Sequence, residues 1–383
     1  MLNSIQAALD VCADHDTILV GPGTYYENLV WPYKQGIDLI SKEGPYKTTI
    51  DGDTVGRVIE IRSTADTTTK IQGFTLQNGH TAAFGGGIFC DYGAAPFISN
   101  NIITANRAGS NGGGGIYCTG STVITDNIIS DNVAHLDSWF SIGGGIYCDG
   151  SPTIADNTIV GNTADYAGGI FCMGSTPLIS GNTISDNFAL LGGGIYCWTS
   201  TPTMVHNIIS NNTAGCGGGI YCEEASPHID SCTISNNTFD GVFCIEESHP
   251  VIHSNNISGN TGFGIRNVDD TTFVHAEHNW WGDPSGPYHP DSNPTGLGDA
   301  VSDWVAFVPW LDQAVGVREE EVVEMEPAGF SATIICGPLR LPDEKNCQIF
   351  DITGRIVLPQ QMRPGIYFVE IEGKTTHKII KIR

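Results

Sequence analysis

With 383 residues, 40% of them hydrophobic and only 15% charged, the chain is too apolar to remain disordered and long enough for two domains. A formal net charge of −25 excludes the cationic surface that nucleic acid or an anionic membrane requires. No apolar run reaches the roughly 18 residues of a membrane helix, so neither a nucleic-acid partner nor a membrane span is expected. The chain opens on Ser4-Ile5-Gln6-Ala7-Ala8-Leu9, where Ile5, Ala8, Leu9 and Cys12 form one helical stripe. No signal peptide precedes it, so export, expected on the grounds given below, requires a start upstream or a signal already removed.

From residue 85 a block recurs: Gly-Gly-Gly-Ile-Phe/Tyr-Cys at Gly85, Gly113 and Gly143, continuing as Gly-Ile/Val-Phe/Tyr-Cys ending at Cys172, Cys197, Cys222 and Cys244. The cysteines from Cys90 onward step by 28, 30, 24, 25, 25 and 22 residues. A second block, Pro-x-Ile or its variant, follows each time, as in Pro152-Thr153-Ile154 and Pro202-Thr203-Met204. A third is Asn-x-Ile-x-x-Asn, as in Asn157 to Asn162 and Asn182 to Asn187. Three short alternating segments per repeat, bounded by Gly, Pro, Asn or Ser, predict three strands joined by tight turns. Gly triplets and a Pro in most repeats exclude helices. Identical strands in successive repeats stack about 4.8 Å apart, giving three parallel sheets around a narrow core.

The alternation points the Ile and Cys of Ile-Tyr-Cys inward, together with the Ile of the other two blocks. Asn101, Asn127, Asn157, Asn182 and Asn207 should form an amide ladder at a turn, with Cys232 replacing one rung. The seven cysteines Cys90, Cys118, Cys148, Cys172, Cys197, Cys222 and Cys244 are odd in number and held at strand spacing, longer than a disulfide favours. They read as buried free thiols.

This pattern, over residues 4 to about 311, closely resembles the pectin-lyase-like right-handed parallel β-helix repeat family. The segment from Ser4 through Thr17-Ile18-Leu19-Val20 to Asn28 is similar to that family's N-terminal cap. Asn279-Trp280-Trp281-Gly282 with Val308-Pro309-Trp310-Leu311 is similar to its closing segment. The expected fold is all-β: a three-sheet right-handed β-helix of about 25 residues per coil over residues 1–316, then a linker and small β-module over 317–383. In the latter, Cys347 to Val357, Pro364 to Ile371 and His377 to Arg383 read as strands. Thr353-Gly354-Arg355, Pro364-Gly365-Ile366-Tyr367-Phe368 and the basic last strand resemble a type IX secretion sorting domain. The resemblance implies a partner in the secretion machinery and a place outside the cell or on its surface. A plain surface β-sandwich is the alternative, and Cys336 and Cys347 could pair in either.

Between each inward Ile and Cys stands an outward aromatic: Phe89, Tyr117, Tyr147, Phe171, Tyr196, Tyr221 and Phe243. A row of rings on a flat sheet suits stacking on sugar; the alternative is a structural stack covered by other residues. Trp139, in an insertion from His135 to Phe140, and Trp198 could wall a groove beside it. Glu224 and Glu246 follow Cys222 and Cys244 at equal offsets, about one strand spacing apart. That separation is close to the pair of a retaining glycosidase, although solvated surface charges read as well. No cofactor is expected; a Ca²⁺ ion between these carboxylates is the alternative their repulsion leaves open. From Ala108 to Ile265 there is no Lys or Arg, which counts against a polyuronate lyase. The function expected is therefore binding of a polysaccharide, a cell-surface glycan or another surface, without catalysis. A glycoside hydrolase and an adhesive spacer are the alternatives.

Overall fold

The computed structural model describes residues 4–316, except 63–64, 92, 110–111 and 135–140, then residue 357 and four strands further on. The chain divides into two compact units, Met1–Val317 and Arg318–Arg383. The first is the expected right-handed parallel β-helix. Each coil gives one strand to each of three parallel sheets. Sheet A has twelve strands and carries the Pro-x-Ile blocks, sheet B has ten and carries Asn-x-Ile, and sheet C has eleven and carries Ile-aromatic-Cys. A short ribbon, Arg107–Ala108, Val133–Ala134 and Thr163–Ala164, lies between B and C. Register is strict: Ile116, Tyr117 and Cys118 face Ile146, Tyr147 and Cys148.

The stacking follows from the alternation. Ile146 and Cys148 of sheet C, Ile154 of sheet A and Ile159 of sheet B are wholly buried in one core column. Each such Ile contributes about 1.5–3 kcal/mol before entropy is subtracted. The glycines preceding sheet C are sterically required. Gly143 turns the chain at φ 63°, and a Cβ on Gly194 would stand 2.6 Å from the Gly219 carbonyl oxygen of the next coil.

Two asparagine ladders, one at each end of the sheet B strand, satisfy the turns. In the first, the backbone N and Nδ2 of Asn157 both donate to Asn182 Oδ1 at 3.0 Å, and Nδ2 also donates to the Ile124 carbonyl at 2.8 Å. Cys232 interrupts it, and there Asn207 N donates only to a sulfur at 3.4 Å. The second ladder is built by the last Asn of the same block, Asn106 through Asn260, and ends on Asp299, which accepts from Asn260 N at 3.0 Å. Each ladder Asn follows a residue that reverses the chain in the left-handed region, such as Asp156 at φ 55°.

Both ends of the helix are covered. The helix Ile5–Val11 (α1) buries Ile5 and Leu9 over the first coil, and Glu27 accepts from Ser4 Oγ, Ile5 N and Gln6 N at 2.8 Å each. At the other end Trp281 is wholly buried, beside Val301 and Phe307. The second unit is a four-stranded sheet ordered Ala332–Ile335, Lys374–Lys381, Gly365–Ile371, Cys347–Asp351. Its first pair is parallel and the other two are antiparallel. The proposed pairing of Cys336 with Cys347 lies outside the described residues.

Candidate functional site

Sheet C carries most of the residues singled out in the sequence. Phe89, Tyr117, Tyr147, Phe171, Tyr196, Tyr221 and Phe243 do point away from the core column, one per coil and in register. They are nevertheless only 3–7% exposed. Successive ring centroids are 4.7–5.5 Å apart, with interplanar angles between 6° and 29°, so every internal ring face lies against another ring. The two terminal faces are covered by cations. Arg57 sits 4.4 Å and Arg62 5.3 Å from the Phe89 centroid, and Arg266 sits 5.8 Å from that of Phe243. Phe84, Ile142, Tyr166, Leu191 and Cys216 pack along one flank, Met173 and Ile245 along the other. The reading of this column as a sugar-stacking platform is corrected: strand spacing equals ring-stacking distance, so the column consumes its own faces.

Burial governs the chemistry of this stack. It pushes the Tyr117 phenol up to about 12, with Asp91 and Asp149 adding to it. It holds Tyr147, Tyr196 and Tyr221 higher still. Tyr196 also donates its hydroxyl to Glu223. The ladder thiols are likewise raised by burial at Cys90 and Cys118. The ten cysteines of the β-helix, the seven ladder thiols included, form no disulfide.

Glu224 and Glu246 lie one coil apart, since Cys222 pairs with Cys244 in register and Glu224 N donates to the Glu246 carbonyl at 3.1 Å. Both side chains are exposed, on turns that reverse the backbone at φ 48° and 53°. The neighbouring Glu223, rather than either of these, is the carboxylate tied to the aromatic column. Among the described residues no group of three or more His, Cys, Asp or Glu converges as a metal site. Trp198 stands in the row of Met173 and Glu223 and remains 37% exposed. Trp139 lies outside the described residues.

A cavity of about 330 Å³ lies elsewhere, over the first coils, where Val30 and Glu60 occupy the rungs that precede Phe89 in the outward row of sheet C. Its polar wall includes Glu60, Arg57 and His80, and its apolar wall Leu29, Val30 and Val55. Arg57 donates to Glu60 at 2.9 Å and to the Phe84 carbonyl at 2.8 Å, and Arg62 donates to the other Glu60 oxygen at 2.6 Å. Sequence reasoning missed this site. Its one signal is the strand Ile59-Glu60-Ile61-Arg62, whose outward Glu60 stands where later coils place an aromatic ring.

A family described as a right-handed β-helix region matches residues 47–216 and again 178–285, together more than half of the chain. No curated protein and no solved structure matches it significantly.

Proposed function

We propose a non-catalytic binding role for this chain, which belongs to the right-handed β-helix family. That fold is compatible with carbohydrate-binding and carbohydrate-degrading surface proteins alike, so the site has to decide between them. The observation that carries the proposal is the setting of Glu224 and Glu246. Hydrolysis of a glycoside needs two carboxyl groups flanking a held sugar, one of them desolvated enough to keep its proton. These two project from exposed turns. The ligand class is a neutral glycan, favoured by the absence of Lys and Arg from Ala108 to Ile265. With the aromatic column closed, Trp198 is the candidate among the described residues that still offers an indole surface. It stands beside the Tyr196–Glu223 pair, whose carboxylate can accept from sugar hydroxyls. The C-terminal unit serves export in this reading, and the β-helix works outside the cell or at its surface.

The test is retention on a panel of neutral polysaccharides, with product analysis of each ligand retained. Binding without release of products is expected, and Trp198→Ala should weaken it about fivefold, the equivalent of roughly 1 kcal/mol for one stacking contact. Release of oligosaccharides that Glu224→Gln abolishes would instead establish a hydrolase.

A further inference from the structure

The outward row of sheet C changes character at one end. From Phe89 onward its rungs are rings that fill the space above the sheet, whereas Val30 and Glu60 leave the space open. The cavity of about 330 Å³ is that vacated space. Its volume lies near the lower limit of small-ligand sites, about 300 Å³, which suits one sugar ring and not an extended run of polymer.

The wall chemistry narrows the ligand further. Arg57 spends Nε on the Phe84 carbonyl and Nη1 on Glu60, with its guanidinium stacked on Phe89, and Arg62 engages the second Glu60 oxygen. Glu60 thus answers both guanidiniums, and a chain of net charge −25 repels anions. What remains is a fixed carboxylate–guanidinium pair with side chains 22% and 18% exposed, enough to be met at the cavity wall while restrained by its partners. Such a pair presents an acceptor and a donor side by side, the arrangement that adjacent hydroxyls complement. Val30 and Val55, 57% and 77% exposed, offer a C–H face to the other side of a pyranose.

We infer that this cavity binds the terminal ring of a neutral glycan, with Glu60 and Arg57 bridging adjacent hydroxyls and Val30 and Val55 under the ring. This rests on the glycan-binding reading above and assigns it a second, end-recognising site. The probes are free glucose, galactose, mannose, xylose and N-acetylglucosamine and their linear tetrasaccharides, titrated into the full-length protein by saturation-transfer NMR. At least one sugar is expected to bind, with saturation concentrated on the terminal ring of its tetrasaccharide. Glu60→Gln, and independently Val55→Trp, should weaken it at least tenfold while far-UV circular dichroism and the thermal midpoint persist. Should Glu60→Gln compromise folding, Val55→Trp still decides, because Val55 is a solvent-facing residue that makes no part of the ion pair. Binding that both variants leave intact, or saturation spread over internal rings, overturns the site and leaves the glycan reading standing. If no probe binds the intact protein, site and reading fall together.

Discussion

Cys232 is a single-residue test of how the coils are held together. Where it replaces asparagine, Asn207 N and Nδ2 reach a thiol sulfur at 3.4 and 3.7 Å, in place of the 3.0 Å amide oxygen met one coil earlier. The partners of an asparagine are already in position: Cys232 N donates to Asn255 Oδ1 at 2.8 Å, and the Met204 carbonyl lies 3.6 Å from the sulfur. Cys232→Asn should therefore raise stability, by about 1 kcal/mol as a net gain of buried hydrogen bonding. Asn182→Ala should cost about 1–3 kcal/mol for each group it strands, Asn157 N among them. Chemical denaturation midpoints check both, and a lower midpoint for Cys232→Asn would contradict the ladder account. The ladder and its break were legible because a repeat aligns its own rungs. The second ladder stood in the same block, at Asn162 and Asn187, and went unread because one Asn per turn already accounted for the turn.

At the scale of an element, the aromatic column separates direction from exposure. Alternation correctly sends Phe89 through Phe243 away from the core, but it carries no information about what lies above a sheet. The covering residues Phe84, Ile142, Tyr166, Leu191 and Cys216 sit in loops of unequal length and align only once the coils are stacked. The Arg57–Glu60–His80 cavity was hidden for the same reason, since its walls come from successive coils whose spacing departs from the later 25-residue step. The closed column has a pH signature. Burial raises its phenols above their ordinary value of 10.0 and the adjoining thiols of Cys90 and Cys118 above 9.0, so the unfolded chain releases these protons first. Their contribution to stability is complete below about pH 9 and is lost as pH rises, through about 12 for Tyr117. In a spectrophotometric titration the column tyrosines should accordingly ionise only together with loss of the β-sheet signal. Gradual ionisation of every tyrosine with the sheet signal intact would mean that the column is open to solvent.

At the scale of the whole molecule, a solenoid is stabilised coil against coil, and its exposed ends are the places where it would fray or pair with another chain. The β-helix meets that need within its own sequence. The helix Ile5–Val11 is fixed to the first coil by Glu27. At the far end Trp281 fills the core section, and Asp299 receives the last rung of the second ladder. The final described stretch is tied down too, since Asn256 exchanges hydrogen bonds with Val315 N and O at 2.7 and 2.9 Å. All of these closing contacts lie within residues 4–316. A chain ending at Gly316 should therefore fold as a soluble monomeric unit, with the thermal midpoint and β-sheet spectrum of the intact protein. It should still bind whatever glycan the intact protein binds, while losing delivery to the cell surface if the C-terminal unit is the export signal proposed. Calorimetry on the shortened chain decides the structural half and cell fractionation the other. A lowered midpoint or aggregation at Gly316 would assign the C-terminal unit a capping role in place of a transport one.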